Sequence, residues 1–130
     1  MNEQKTAQAL LIIDMQNDFV HPGTPVHVAG AEATVPVIRK LRESCRKHAV
    51  HVFHVIRSYS ADGLTVERTR LADFRRTPFV VPGTHGAEII AELTPEAGET
   101  IVIKPRYSAF FRTNLDLMLK RLGVERVLVS

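Results

Sequence analysis

Two charged residues stand where apolar runs break off, and both are candidates for chemistry. Asp14 ends the apolar run at 9–13, within ALLIIDMQNDF, and Lys104 ends TIVIK at 100–104. A half-buried strand would alternate polar and apolar residues, so each run reads as a strand buried on both faces. A charge at the carboxyl end of such a strand is either a cap on the following turn or a group set in the crevice where open α/β sheets bind ligands. A carboxylate and an ammonium partly desolvated together can prepare a third group for nucleophilic attack. The plainer alternative is a structural ion pair, or two caps on separate loops.

Whether the two charges meet depends on the elements that carry them. A helix is expected from Thr34 as N-cap, with Pro36 in its first turn and Val35, Ile38, Leu41 and Cys45 on one face. Residues 49–56 (AVHVFHVI) read as a second strand, residues 100–104 as a third and residues 124–130 as a fourth buried strand. Between them, short helices are expected at 66–74 and 86–93. A longer one follows Thr113, with Leu115, Met118, Leu119 and Leu122 as its core stripe and Gly123 as its C-cap. Strands alternating with helices argue for α/β: three layers, with a doubly wound parallel sheet between helices. In such a sheet all carboxyl ends share one edge, so topology brings Asp14 and Lys104 together. The fourth strand has no exit turn, so the chain is expected to be a fragment or truncated version of a longer α/β protein, its residues 1–130 forming one incomplete domain.

Other residues gather at the same edge. Arg57, Ser58 and Tyr59 end the second strand, and RYSAFFR at 106–112 follows the third. Arg57 and Arg106 suggest a small-molecule substrate bearing a carboxylate, held by a guanidinium fork, or else they serve loop packing or a subunit contact. Phe19, Tyr107 and Phe110 either wall the pocket or belong to the core. His51 and His54 point to opposite strand faces and cannot chelate one metal together. Cys45 sits on the core stripe of its helix, and His85 is a lone loop histidine. No metal ligand set and no cofactor is assigned.

Composition narrows the class further. The 130 residues include 17 Lys and Arg against 14 Asp and Glu, a net charge of +3, and the basic residues are scattered except around Arg68 to Arg76. That cluster reads as a solvated face, and nucleic acid is not expected as a partner. The polar start MNEQKTAQ does not fit a signal peptide, no apolar run is long enough to cross a bilayer, and the single Cys45 fits a reducing compartment. A cytoplasmic protein without a membrane partner is the expectation.

LLIIDMQNDF, GTHGAEI at 83–89 and IVIKPRYSAFFRTNLDLMLKRLGVERVLVS closely resemble the isochorismatase-like cysteine hydrolase superfamily. That superfamily includes nicotinamidases, carbamoylsarcosine amidohydrolases and ureidoacrylate amidohydrolases. The resemblance runs through nearly the whole chain in the right order. It implies an Asp, Lys, Cys triad in which Asp14 and Lys104 match the first two positions. The cysteine would lie on a tight turn after the fourth strand, beyond Ser130. The implied activity is hydrolysis of a C–N bond in a small amide, carbamoyl or ureido compound, by a homo-oligomer, dimer or tetramer. Two alternatives stay open: an isochorismatase-type vinyl-ether hydrolase with Asp14 as the acid, and a non-catalytic α/β binding domain that keeps the ion pair as a relic. In the nicotinamidase-like branch an Asp-x-His metal motif follows the second strand. Here that place reads Arg57, Ser58, Tyr59.

Overall fold

The computed structural model describes residues 7–130, and the polar start read at residues 1–6 lies outside the described residues. Four parallel strands form one sheet in the order β3-β2-β1-β4: β1 Ala7–Ile13, β2 His51–Arg57, β3 Thr100–Lys104 and β4 Val124–Val129. β1 and β2 are central, which is why Leu10, Leu11, Ile12, Phe53 and Val55 are all fully enclosed. From β1 the chain builds outward through β2 to β3, then crosses back to place β4 on the far side of β1. The strand order therefore reverses at β1, and the crevice beyond its carboxyl end is where an open α/β sheet binds ligands.

Alternate residues of β1 feed two cores on opposite faces of the sheet. Leu10 and Ile12 pack with Val52 against Ile38 and Cys45 of α2, the helix Ala31–Lys47, with Val35 and Leu41 half-buried around them; α1 is a single turn, Asn17–Val20. Ala9 and Leu11 pack with Phe53, Val55 and Val102 against Leu115 and Leu119 of α4, Leu115–Arg121. A buried leucine of this kind contributes about 2–5 kcal/mol relative to alanine. A third cluster sits beyond the strand ends, where Tyr59, Phe74 and Phe79 meet edge to face at centroid distances of 5.5 to 5.9 Å. Phe74 belongs to α3, Leu71–Arg76.

Several boundaries differ from the sequence reading, each for a local reason. α2 starts at Ala31, after Gly30 in a left-handed conformation, so Pro36 falls inside the helix rather than in its first turn. Thr34 is therefore no cap; its hydroxyl donates back to the Ala31 carbonyl at 2.6 Å. The segment 86–93 is not a helix but two 3-10 turns, His85–Ala87 and Ala91–Leu93, because Ile89 pairs in an antiparallel bridge with Gln16 between them. The expected helix at 66–74 is a 3-10 turn, Arg68–Arg70, running into α3. α4 opens at Leu115, whose N–H donates to the Thr113 hydroxyl at 3.3 Å, and Leu122 lies exposed beyond its end, where Gly123 takes the left-handed conformation expected of it. β3 and β4 are edge strands here, so their runs are not buried on both faces: Ile101, Ile103 and Val129 are exposed.

The β2–β3 connection is fastened under α2 by charge. Glu99, just before β3, accepts from His54 at 2.8 Å, from Arg46 at 3.1 Å and from the Glu96 N–H at 3.0 Å, with Arg42 3.8 Å away. Burial pushes the Glu99 carboxyl up, but these hydrogen bonds outweigh it and hold the group below its usual value. A carboxyl with a depressed folded-state value stabilises the fold above the ordinary value of 4.5 and loses that contribution as pH falls through the folded value. Urea unfolding at neutral pH and at about pH 3.5 is therefore expected to show a stability loss that Glu99→Gln reduces. An identical acid-side loss in the variant would contradict the assignment.

Candidate active site

Register delivers three charged side chains to one edge. Arg57 at the end of β2 is the direct partner of Lys104 at the end of β3, and the Asp14 N–H donates to the Val55 carbonyl at 2.9 Å as the chain leaves β1. Asp14 itself takes φ of 56°, a left-handed conformation that aspartate tolerates better than most residues. That turn ends the strand and swings the carboxylate toward β3. Lys104 is held extended by Pro105, and its ammonium is buried. Nζ donates to Asp14 Oδ2 at 3.2 Å and to the Tyr107 carbonyl at 2.9 Å. Burial pulls the Lys104 ammonium below its ordinary value and Arg57 adds to that, while Asp14 opposes both.

The two oxygens of Asp14 are not equivalent. Oδ2 faces the lysine, whereas Oδ1 has no hydrogen-bond partner among the described residues. The carboxylate borders a pocket of about 340 Å³, with Met15, Phe19, Val26 and Val28 on its apolar side and Arg57, Arg70 and Tyr107 on its polar side. A larger cavity of about 530 Å³ lies over α2 among Arg39, Lys40 and Glu43 and contains neither Asp14 nor Lys104. Asp14 therefore borders only the smaller of these two. A half-neutralised carboxylate with one enclosed, unpartnered oxygen can take a proton from a group brought against it.

Gln16 fixes the frame around this pair. Its amide exchanges both hydrogen bonds with the Arg57 peptide, Nε2 donating to the carbonyl at 2.8 Å and Oε1 accepting from the N–H at 2.9 Å, so a side chain extends the β1–β2 ladder past the Asp14 turn. Nε2 also donates to the Ala87 carbonyl at 2.9 Å, and Asn17 Nδ2 to the His85 carbonyl at 2.7 Å, which ties down the 85–89 segment. Asp18 accepts the Val80 N–H at 2.8 Å and holds Val80 at φ of 47°, a strained state for a β-branched residue. Only glycine fits at position 86, where a Cβ would lie 2.2 Å from the Asp18 carboxylate oxygens.

Of the residues read from sequence, the structure brings Phe19, Arg57 and Tyr107 to the pocket beside Asp14 and places Lys104 directly behind it. Arg106 is not there; its guanidinium donates to the carbonyls of Thr65 and Pro105 and clamps two loops. Phe110 is half-exposed and outside the pocket, because the chain turns outward after Tyr107. Arg57 is only partly free: it donates to the Tyr59 hydroxyl at 3.2 Å, which donates to Glu67, and its Nη1 lies 3.9 Å from that carboxylate. Burial and Glu67 push the Tyr59 phenol well up, so it stays a neutral donor. Arg70 and Glu67 escaped the sequence reading, since they sit in or beside the Arg68 to Arg76 run that looks like a solvated face. Cys45 is buried in the α2 core and His85 pairs with Glu88 at 3.5 Å on the surface. Among the described residues no three His, Cys, Asp or Glu side chains converge as a metal site.

Removing the ammonium while keeping its stem isolates the ion pair. Lys104→Met strands the Tyr107 carbonyl and leaves Asp14 unneutralised, an expected loss of about 2–3 kcal/mol in urea unfolding given the partial exposure of Asp14. Adding Asp14→Asn should recover part of that loss. Single-variant losses that simply add, within about 0.5 kcal/mol, would show that the two side chains do not interact.

Comparison with known proteins shows the family and the fold. Residues 8–130 match the isochorismatase domain family. A probable inactive nicotinamidase of Arabidopsis thaliana is 35% identical over 133 residues, covering 100% of this chain and 68% of the relative. A ureidoacrylate amidohydrolase of Rhizobium rhizogenes is 28% identical over 138 residues, covering 92% and 56%. The crystal structure of an isochorismatase family protein from Desulfovibrio vulgaris superposes with a TM-score of 0.93 at 48% identity, covering 97% of this chain and 67% of that one. The chain thus spans 56% to 68% of the lengths of these proteins. No helix among the described residues is long and apolar enough to cross a membrane. With its family model matched from residue 8 to residue 130 and its parallel α/β fold shared with solved members, this chain belongs to the isochorismatase-like hydrolase family.

Proposed function

We propose that the full-length protein hydrolyses a C–N bond in a small amide, carbamoyl or ureido compound, with Asp14 as base and Lys104 as its electrostatic partner. The observation that carries this reading is Asp14 at the pocket edge, one oxygen 3.2 Å from the buried Lys104 ammonium and the other without a partner. In this reading the nucleophile is a cysteine thiol on a turn after β4. Support for that placement comes from β4 itself: Ser130 accepts from the Ile13 N–H at 3.0 Å, so its end runs alongside the residue before Asp14.

The reaction follows from these positions. Asp14 Oδ1 takes the thiol proton, and Lys104 stabilises the resulting anionic site. The thiolate attacks the carbonyl carbon, and backbone N–H groups of the following turn receive the oxyanion. Collapse breaks the C–N bond, and Asp14 returns the proton to the departing nitrogen. Asp14 then takes a proton from water as the water attacks the thioester, and cleavage of the C–S bond releases the acid and restores the thiol. On the same reading the protein is a cytoplasmic homo-oligomer, dimer or tetramer, that needs no cofactor and no metal ion.

Ammonia or amine release by the full-length protein, measured over a panel of primary amides, carbamoyl amino acids and ureido acids, tests this directly. Turnover of at least one class is expected, with Asp14→Asn lowering kcat by about 10² to 10⁴. Absence of a cysteine on the turn after β4, or turnover unchanged by Asp14→Asn, would overturn the proposal.

A further inference from the structure

Two cations reach the carboxyl edge of the sheet where the strands supply one carboxylate. Arg57 and Lys104 are register partners on β2 and β3, so their side chains leave the sheet on the same face, and Arg57 borders the pocket together with Asp14. Of the two, a guanidinium is the stronger competitor for a carboxylate, because its fork engages both oxygens at once. Arg57 paired to Asp14 in that way would occupy Oδ1, the oxygen that the proposed reaction uses, and would displace the lysine. The structure shows the other division: Asp14 pairs with Lys104 at 3.2 Å, and Arg57 pairs with Glu67 at 3.9 Å.

Glu67 is held where it can impose this. Its carboxylate accepts from the Tyr59 hydroxyl, which in turn accepts from Arg57 at 3.2 Å. The Tyr59 ring is fully enclosed and meets Phe74 and Phe79 edge to face at 5.9 and 5.5 Å, so its hydroxyl is a fixed post. Glu67 stands at the head of the 3-10 turn that runs into α3, its carbonyl accepting from the Arg70 N–H at 2.9 Å. On the other side of the guanidinium, Arg57 lies over the Tyr107 ring at 4.8 Å from its centroid. Arg57, Glu67 and Lys104 are all buried, and charges so enclosed are little screened by salt. Asp14 and Glu67 together balance Lys104 and Arg57, with Arg70 further along the pocket wall. Lys104 feels both members of the second pair: Arg57 lowers its value and Glu67 raises it.

We propose that Glu67 is a positioning residue of this site: anchored by Tyr59, it takes up Arg57 and so leaves Asp14 to Lys104 with Oδ1 unpartnered. Among the described residues it makes no hydrogen bond or ion pair with Asp14 or Lys104, and it acts on them through Arg57. The division of charges stands on the geometry; that Oδ1 then serves a reaction rests on the amidohydrolase reading.

NMR titration of the labelled Lys104 side chain in the full-length protein reads that division without turnover. Glu67→Gln keeps an acceptor for Tyr59 and removes only the charge, which frees Arg57 to compete for Asp14. Lys104 is then expected to lose its proton at least about 0.5 pH units below the native protein. Arg57→Gln combined with Glu67→Gln removes both charges, and Gln16 bonds the Arg57 peptide rather than its side chain, so the double variant should fold and bring Lys104 back to its native value or slightly above. Glu88→Gln, an exposed control beside His85, should titrate as the native protein does. In turnover assays Glu67→Gln should lower kcat about tenfold or more with little change in KM. A Lys104 titration unchanged by Glu67→Gln, or a fall that the double variant does not reverse, would overturn the proposal. Should Glu67→Gln alone fail to fold, the double variant decides: native or slightly raised Lys104 titration supports the proposal, whereas a lowered value, or failure of both variants to fold, overturns it. A reversible Lys104 shift with no ammonia or amine released from any substrate would instead contradict the amidohydrolase reading and leave the role of Glu67 standing.

Discussion

A lysine ammonium withdrawn from water at the end of an edge strand is the constraint around which this structure is arranged. Lys104 is 2% exposed, and a buried ammonium is tolerable only if it is paired and hydrogen-bonded. Asp14 and the Tyr107 carbonyl meet that need. The sheet delivers the first by bringing β1 and β3 to the same edge with β2 between them, and the loop after Pro105 delivers the second by turning back. Because the pairing engages one oxygen of the carboxylate, the other is enclosed without a hydrogen-bond partner among the described residues.

Holding that contact in register requires the chain to leave β1 abruptly, and much of the surrounding polar structure serves this departure. Asp14 takes the left-handed turn, and Gln16 resumes pairing with β2 through its side chain where the backbone can no longer do so. Asn17 and Asp18 then bind the 80–89 segment, forcing Val80 into a strained conformation and leaving room at position 86 for glycine alone. Strain of this kind persists only where the surroundings over-determine it. The consecutive polar residues after Asp14 are therefore scaffold for the pocket, each making a separate and necessary connection.

The sequence was most informative where burial is two-sided. The uninterrupted apolar run before Asp14 identified β1, the element order identified the parallel sheet, and that topology placed Asp14 with Lys104. Single-residue bounds were harder: the Gly30 turn started α2 earlier than the Thr34 and Pro36 signals suggested, and the Gln16–Ile89 bridge replaced a helix with two 3-10 turns. β3 reads as buried because its residues are apolar, yet periodicity cannot report whether a neighbouring strand covers an edge. Pocket walls were legible only in part. Phe19, Arg57 and Tyr107 lie at or shortly after strand ends, whereas Arg70 arrives through a 3-10 turn inside a basic run, and the Arg106 guanidinium is taken up by the Thr65 and Pro105 carbonyls. Nothing in residue type separates an arginine that lines a pocket from one that clamps a loop.

Direct observation of the Lys104 ammonium tests the central pairing most sharply. NMR titration of the labelled Lys104 side chain gives its pKa in the native protein and in Asp14→Asn. The carboxylate is the chief influence raising that value against burial and Arg57, so the variant is predicted to release its proton at lower pH than the native protein. An unchanged titration, or one shifted upward, would mean that Asp14 does not hold the lysine's charge and would contradict the account of the site.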